Sequence, residues 1–465
     1  MNTAMDTHVP HPVRLVVEDG YERNRVTVFF RLILAIPHFI FYTLWTIWVI
    51  LVAIANWFIS LFTGRPPVWV HNHLCHYVRY QAHLNSYFYL VGNPYPPFGG
   101  EAGEYPIDID LPEEPVTQRR WTILVRLFLA IPALLIGGGL PLSYANTRAG
   151  NRGTTRSFGT GGGSLVAVCG VLGWFASMAL GRMPKGLRDA GAWSVGYTAQ
   201  TTAFLLLLTD RYPNADPTEM LAMVERPPRH PVRVVGDPYD LRRSRVTVFF
   251  RLPLSIPHLV WLTLWSILAL LAAVAQWFVT LFRGTPATGL HRFLTSFVRY
   301  RLHVYAYLFV VANPFPGFTG REGSYPLDLE VAPPARQNRW KTAFRIVLAL
   351  PALFLDAVLG GTLFTTAILT WFYALVTGRA QWGLRNLAAY ALRYDAQTQG
   401  YAFLLTDSYP HASPLEGEDA ADEPASLLEP EGGAAAAVEP ASLFVREDAA
   451  VEPASPLEGE NPAAE

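Results

Sequence analysis

The chain has 465 residues, of which 51% are hydrophobic, 13% aromatic and 16% charged, against a charged share of ~25% in ordinary soluble domains. The apolar residues cluster in runs such as 32–62, 124–142, 165–180, 252–282 and 346–376, which reads as membrane segments. A formal net charge of −1 gives no electrostatic case for nucleic acid as a partner, and two distant cysteines, Cys75 and Cys169, with no ligand spacing around them, exclude a disulfide framework.

Residues 1–10 are expected to be disordered. The first twenty residues lack the basic start, apolar centre and cleavage site of a secretory signal, which places the N-terminus in the cytoplasm. From residue 11 one frame recurs four times, in units spanning residues 11–104, 105–229, 230–324 and 325–410. RVTVFFRLILAIPH from Arg25 returns as RVTVFFRLPLSIPH from Arg245, and more worn as RWTILVRLFLAIPA from Arg120 and RWKTAFRIVLALPA from Arg339. NWF, GWF, QWF and TWF follow at Asn56, Gly173, Gln276 and Thr370, then a glycine beside an arginine at Gly64, Gly181, Gly284 and Gly378. The units close on LVGNPYP, LLTDRYP, VVANPFP and LLTDSYP, ending at Pro96, Pro213, Pro316 and Pro410. Chance does not produce this order four times.

Each unit is preceded by a short alternating segment: HPVRLVV from His11, YPIDIDL from Tyr105, HPVRVVG from His230 and YPLDLEV from Tyr325. Period-2 alternation predicts strands. Arg14 and Arg233 in the odd units suit pairing with Asp108, Asp110, Asp328 and Glu330 in the even ones. The expectation is one small four-stranded cytoplasmic sheet; extended linkers are the alternative.

Each apolar core is expected to be a helical hairpin. The polar, glycine-rich insert at residues 146–163 cannot lie in hydrocarbon, so it marks a turn at the edge of lipid. Gly360 and Gly361 mark the same point in unit four, and units one and three would turn near residues 43–48 and 263–266. The preferred count is eight crossings, with four crossings or re-entrant hairpins left open. Hairpins put every unit's ends on one face, and the Lys and Arg flanking those ends make it cytoplasmic. The protein is therefore expected in the cell membrane, multi-pass, with both termini cytoplasmic.

After each core comes a polar-aromatic stretch. In unit one Val70, Leu74, Tyr77, Leu84, Phe88 and Val91 recur at helical spacing, with His71, His76, Arg79 and His83 between them. This reads either as a helix lying in the membrane interface or as one packed on the sheet. Residues 411–465, rich in Ala, Pro and Glu with ASPLEGE twice and EPAS three times, are expected to form a disordered acidic tail.

Arg31, Arg126, Arg251 and Arg345 occupy one slot in all four units, shortly before the proline of the first arm. They are either anchors snorkelling to phosphates or an anion or headgroup site. His38 and His258 follow that proline in the odd units and could bond the carbonyl it frees. Asp356 is the single acid in an apolar arm, placed either for proton coupling or in interface water near the Gly360 turn. The run of His71, His73, Cys75, His76 and His83 has metal-ligand types, but unit three keeps only His291 and His303 at these slots. No catalytic motif stands in its required context. No cofactor, no metal and no enzymatic activity are expected.

The repeated frame, RLxLAIP, then WFxxLxxGR, RY and a terminal NPYP or TDxYP, resembles bacterial membrane proteins grouped under domain of unknown function 4389, over about residues 13–410. Units one and three carry it best, through RVTVFFRLILAIPH, FTGRPP and YVRYQAHLNSYFYLVGNPYP; unit two departs by its insert and by Gly196 where the others have Arg79, Arg299 and Arg393. The resemblance implies membrane residence and no assigned activity. The resulting expectation is a mainly α polytopic membrane protein acting as a non-enzymatic scaffold or lipid-interacting protein. Its partners would be membrane lipids and, through the tail, a cytoplasmic protein. A transporter or channel between pseudosymmetric repeats is the alternative, and a metal-dependent membrane enzyme the second.

Overall fold

In unit one, strand β1 (Arg14–Val17) leads into helices α1 (Arg25–Thr63) and α2 (Val68–Phe88). Unit two holds β2 (Ile107–Asp110), α3 (Arg120–Leu124), α4 (Arg126–Gly138), α5 (Gly163–Leu180) and α6 (Lys185–Leu205), followed by the short α7 (Pro217–Met220). Unit three holds β3 (Val232–Gly236), α8 (Arg245–Phe249), α9 (Arg251–Arg283) and α10 (Thr288–Leu308). Unit four holds β4 (Leu327–Val331), α11 (Arg339–Ala343), α12 (Arg345–Thr377) and α13 (Trp382–Ala402). This computed structural model describes residues 11–138, 163–222, 224–236 and 240–417. The expected disordered ends, residues 1–10 and the tail from 418, lie outside them, as does most of the polar insert of unit two.

The chain is mainly helical, as expected, but the hairpins of units one, three and four are not formed. One unbroken helix runs through each expected turn. Thr43 and Thr46 donate their hydroxyls to the carbonyls of Phe39 and Tyr42 (2.7 and 2.6 Å), and Thr263 to that of Leu259 (2.8 Å), the bonds of a continuing helix. Gly360 and Gly361 lie inside α12. An interior glycine costs a helix about 1 kcal/mol, whereas a turn in apolar surroundings would orphan several backbone groups. What stops these helices is Gly64, Gly284 and Gly378, at φ 81, 78 and 73°, the left-handed conformation that ends a helix and that glycine adopts without strain. In place of eight crossings, three of the described helices, α1, α9 and α12, are long and apolar enough to cross a membrane.

The single four-stranded sheet is likewise replaced by two antiparallel pairs, β1 with β2 and β3 with β4. The charge pairing is as read: Arg14 faces Asp110 (3.2 Å) and Arg233 faces Glu330 (3.1 Å). Side chains of the polar helices reach one carbonyl at each of the four strand edges. Gln200 and Gln397 donate to the carbonyls of Val13 and Val232, and Arg79 and Arg299 to those of Ile109 and Leu329. The polar-aromatic stretch thus resolves into the second of its two readings, with α2, α6, α10 and α13 packed against the strands.

The units associate as reciprocal couples. Trp57 of unit one donates its indole N–H to the Ile123 carbonyl of unit two (2.8 Å), and Trp174 of unit two returns a bond to Val28 (3.1 Å). Trp277 with Thr342 and Trp371 with Val248 repeat the exchange between units three and four, both at 2.8 Å. The glycine that ends each long helix accepts from the backbone N–H just before the other unit's first helix, as in Gln118 to Gly64 and Arg23 to Gly181.

The two couples are joined by segments following α6 and α13. Trp382 and Asn386 both donate to Asp216 (2.7 Å each), and Ser413 donates to Asp189 (2.8 Å). The segment where a tail was expected to begin is folded as far as Gly417, with Ala412, Ser413 and Leu415 buried. Gly186 makes room for it, since a Cβ there would stand 2.7 Å from the Ala412 backbone nitrogen. Gly186→Ala should therefore destabilise the protein by about 1–3 kcal/mol through overpacking, read as a lowered Tm in detergent. Gly289→Ala, where a Cβ meets nothing within 4 Å, should leave the Tm unchanged or raised; equal losses at both positions would refute the account.

Candidate functional site

The four repeated arginines do not snorkel. Their side chains turn inward, with 1–2% of each residue exposed, and each guanidinium stacks on an aromatic ring at the end of a polar helix. Arg31 lies 4.4 Å from the ring centroid of Tyr87, Arg126 4.0 Å from Phe204, Arg251 4.5 Å from Tyr307 and Arg345 4.1 Å from Tyr401. Just beyond each ring the chain leaves the helix through a non-glycine residue in the left-handed region: Leu90, Leu207, Val310 and Leu404, at φ 64, 65, 64 and 61°. Such residues cost about 1–3 kcal/mol each and persist only where the surroundings enforce them.

The guanidinium is what meets that turn. Arg31 donates to the carbonyls of Tyr87 (2.7 Å), Gly92 (3.2 Å) and Asn93 (3.1 Å). Arg251 donates to Tyr307 (2.6 Å) and Ala312 (3.1 Å). Arg345 reaches the Thr406 carbonyl, the Gln337 side-chain oxygen and Asp407. A second donor eight residues earlier finishes the turn: Arg23 on the carbonyls of Leu90 and Val91, Arg243 on Val310 and Val311, Gln118 on Leu207 and Gln337 on Leu404. Cations belong at the negative end of a helix dipole. The arrangement spends the guanidinium on the chain's own carbonyls.

The histidines after the proline behave alike in both odd units. His38 Nδ1 bonds the Tyr80 hydroxyl at 2.7 Å and its ring stacks on Phe98, while His258 pairs with Tyr300 at 2.8 Å and stacks on Phe318. Tyrosine hydroxyls, not freed carbonyls, are their partners. The histidine run of α2 does not converge: His71 donates to the Pro112 carbonyl, His76 to that of Gly100, and His83 pairs with Asp108 at 3.0 Å. Desolvation works to raise the Asp108 carboxyl, but the bonds from His83, Gly103 and Ile109 hold it below the usual carboxylate range. His303 of unit three and Asp328 of unit four repeat this pair in the second couple. Among the described residues no group of three or more His, Cys, Asp or Glu could hold a metal ion.

Asp356 sits mid-helix in α12 with no turn beside it, and its carboxyl is near enough to Asp395 on α13 for the two to interact electrostatically. Asp395 also accepts from Arg301 of α10 at 2.7 Å. Burial pushes the Asp395 carboxyl up, against the pull of the guanidinium. Sequence reasoning missed Arg301 and Asp395, although the signal was there: they share one slot, after RY, with Gln81 and Thr198 in the first two units. The absent arginine of unit two is also explained, because a Cβ at Gly196 would meet the Met220 sulfur at 2.5 Å.

If the arginines cap the turns, Arg31→Met should lower stability by about 1–3 kcal/mol for each carbonyl left unpaired. Arg126→Met should lose less, since two of the Arg126 nitrogens have no hydrogen-bond partner. Tm values of both variants in detergent decide this; the reverse order would contradict the capping role.

The family described as domain of unknown function (DUF4389) matches residues 25–99, 162–215, 245–319 and 339–413, one match in each repeated unit. No curated protein and no solved structure matches the chain. With four matches that together span more than half its length, the chain belongs to the DUF4389 family.

Proposed function

We propose that this protein is embedded in the cell membrane as a non-catalytic, lipid-interacting scaffold. The observation that carries this reading is the exposure of its long helices. Only 22, 17 and 33% of the most apolar stretches of α1, α9 and α12 are buried within the protein, and Leu32, Leu44, Phe62, Leu252 and Phe282 stand in the open. Soluble monomers rarely expose apolar patches beyond a few hundred Å². At 1.5 Å per residue α1 has a contour of about 58 Å, nearly twice the ~30 Å hydrocarbon core, so it lies strongly tilted or follows the bilayer rather than crossing it upright. On this reading the layer of α2, α6, α10, α13 and the strand pairs lies outside the hydrocarbon, and the flanking arginines support the cytoplasmic side for it.

After alkaline carbonate extraction the protein should remain with the membrane pellet. In intact cells a cysteine introduced at Asp110 should resist an impermeant thiol reagent. Release by carbonate would end the membrane reading; labelling at Asp110 would invert the orientation.

The trio of Arg301, Asp395 and Asp356 supports a second reading, proton or ion passage beside α12, because an acid in an apolar helix with named partners is a functional hypothesis by default. Proteoliposome flux that Asp356→Asn abolishes would favour this reading over the scaffold; absence of flux in the unaltered protein would remove it.

A further inference from the structure

Between α5 and α12 lies a cavity of about 600 Å³, within the ~300–1,000 Å³ of ligand sites. Its walls are apolar, with Leu172 and Phe175 of α5 facing Pro351 and Leu355 of α12 and Tyr394 at the back. Phe175, Pro351 and Tyr409 are exposed at its rim, so it opens on the surface formed by the apolar helices. Lys185, the first residue of α6, is part of its lining.

The internal repeat says what is special about this place. The corresponding slots of unit four carry Tyr373 where unit two has Ala176, and Trp382 where unit two has Lys185. Two bulky aromatic side chains at one seam are thus replaced, at the other, by a small residue and a charged one. Moreover, Lys185 already holds an anionic group: its ammonium lies 2.9 Å from a carboxylate oxygen of Glu225, a side chain 81% exposed. A screened ion pair with so exposed a partner exchanges readily, which leaves the ammonium available to an incoming anion.

We propose that this cleft holds an acyl chain of an anionic membrane phospholipid, with the lipid phosphate on Lys185 in place of Glu225. The inference deepens the lipid-interacting reading above and rests on it. An acyl chain matches the apolar walls and the opening toward the lipid-facing helices. The phosphate matches the lysine of the lining, where a point charge without a second donor fork selects charge rather than headgroup shape.

The test reconstitutes the full chain in nanodiscs of phosphatidylcholine with phosphatidylglycerol as the minor component and reads the lipids retained after release by native mass spectrometry. The unaltered protein should retain phosphatidylglycerol several-fold over its share of the bilayer. Ala176→Tyr, which copies unit four, should lose the retained lipid. Lys185→Gln should keep a lipid but choose between the two headgroups at random. Glu225→Gln, on the exposed surface and so neutral to folding, should increase phosphatidylglycerol retention by removing its competitor. Retention that simply follows bilayer composition in the unaltered protein, or that is unmoved by Glu225→Gln and Lys185→Gln, overturns the proposal even if Ala176→Tyr fails to fold. Carbonate resistance with an empty cleft would sink this inference alone, whereas carbonate release would sink the membrane reading beneath it.

Discussion

Every polar helix in this protein ends in the same unfavourable way, and the rest of the architecture depends on how that ending is satisfied. The last carbonyls of α2, α6, α10 and α13 have no partner within their helices, and the chain leaves each through a leucine or valine at positive φ instead of glycine. In units one, three and four a guanidinium from the start of the apolar helix, aided by an arginine or glutamine eight residues earlier, meets those carbonyls, and in unit two Gln118 does. This contact fixes where the apolar helix crosses the polar one. It also accounts for the costly buried cation of units one, three and four, whose removal would leave the turn both strained and less well paired, while Arg126 of unit two keeps the stacking on Phe204.

From that crossing the pairing of units follows. With its start pinned to its own polar helix, each apolar helix presents its far end, with its tryptophan and terminal glycine, to the start of another unit. The exchange is mutual within each couple, and the strands likewise pair within each couple, β1 with β2 and β3 with β4. The segments after α6 and α13 then bridge the couples through Asp216 and Asp189, approaching where glycine leaves room.

Against this shared frame the couples have diverged. The slot held by Gln81 and Thr198 in the first couple carries Arg301 and Asp395 in the second, and Asp356 joins them from α12. At the seam between couples the small residue and lysine of one side answer two aromatic residues on the other. Chemistry specific to this chain is to be sought at such departures, because positions shared by four copies are already occupied in holding the frame.

The sequence by itself determined the fourfold frame, the strands and their charge complementarity, and the arginine slots, because each is written in local periodicity or in repetition along the chain. The partners were not legible. Whether Arg31 reaches for phosphate or for the Gly92 carbonyl depends on where a segment some sixty residues away has folded. The hairpins expected in units one, three and four failed for a related reason: glycines and hydroxyls read as turn signals, but with no polar backbone partner on offer the cheaper course in apolar surroundings is to continue the helix, as Gly360 and Gly361 do. Only tertiary structure decided which carbonyls were left in need of a donor, and therefore which way the arginines turned; it alone also decided that the strands pair in twos.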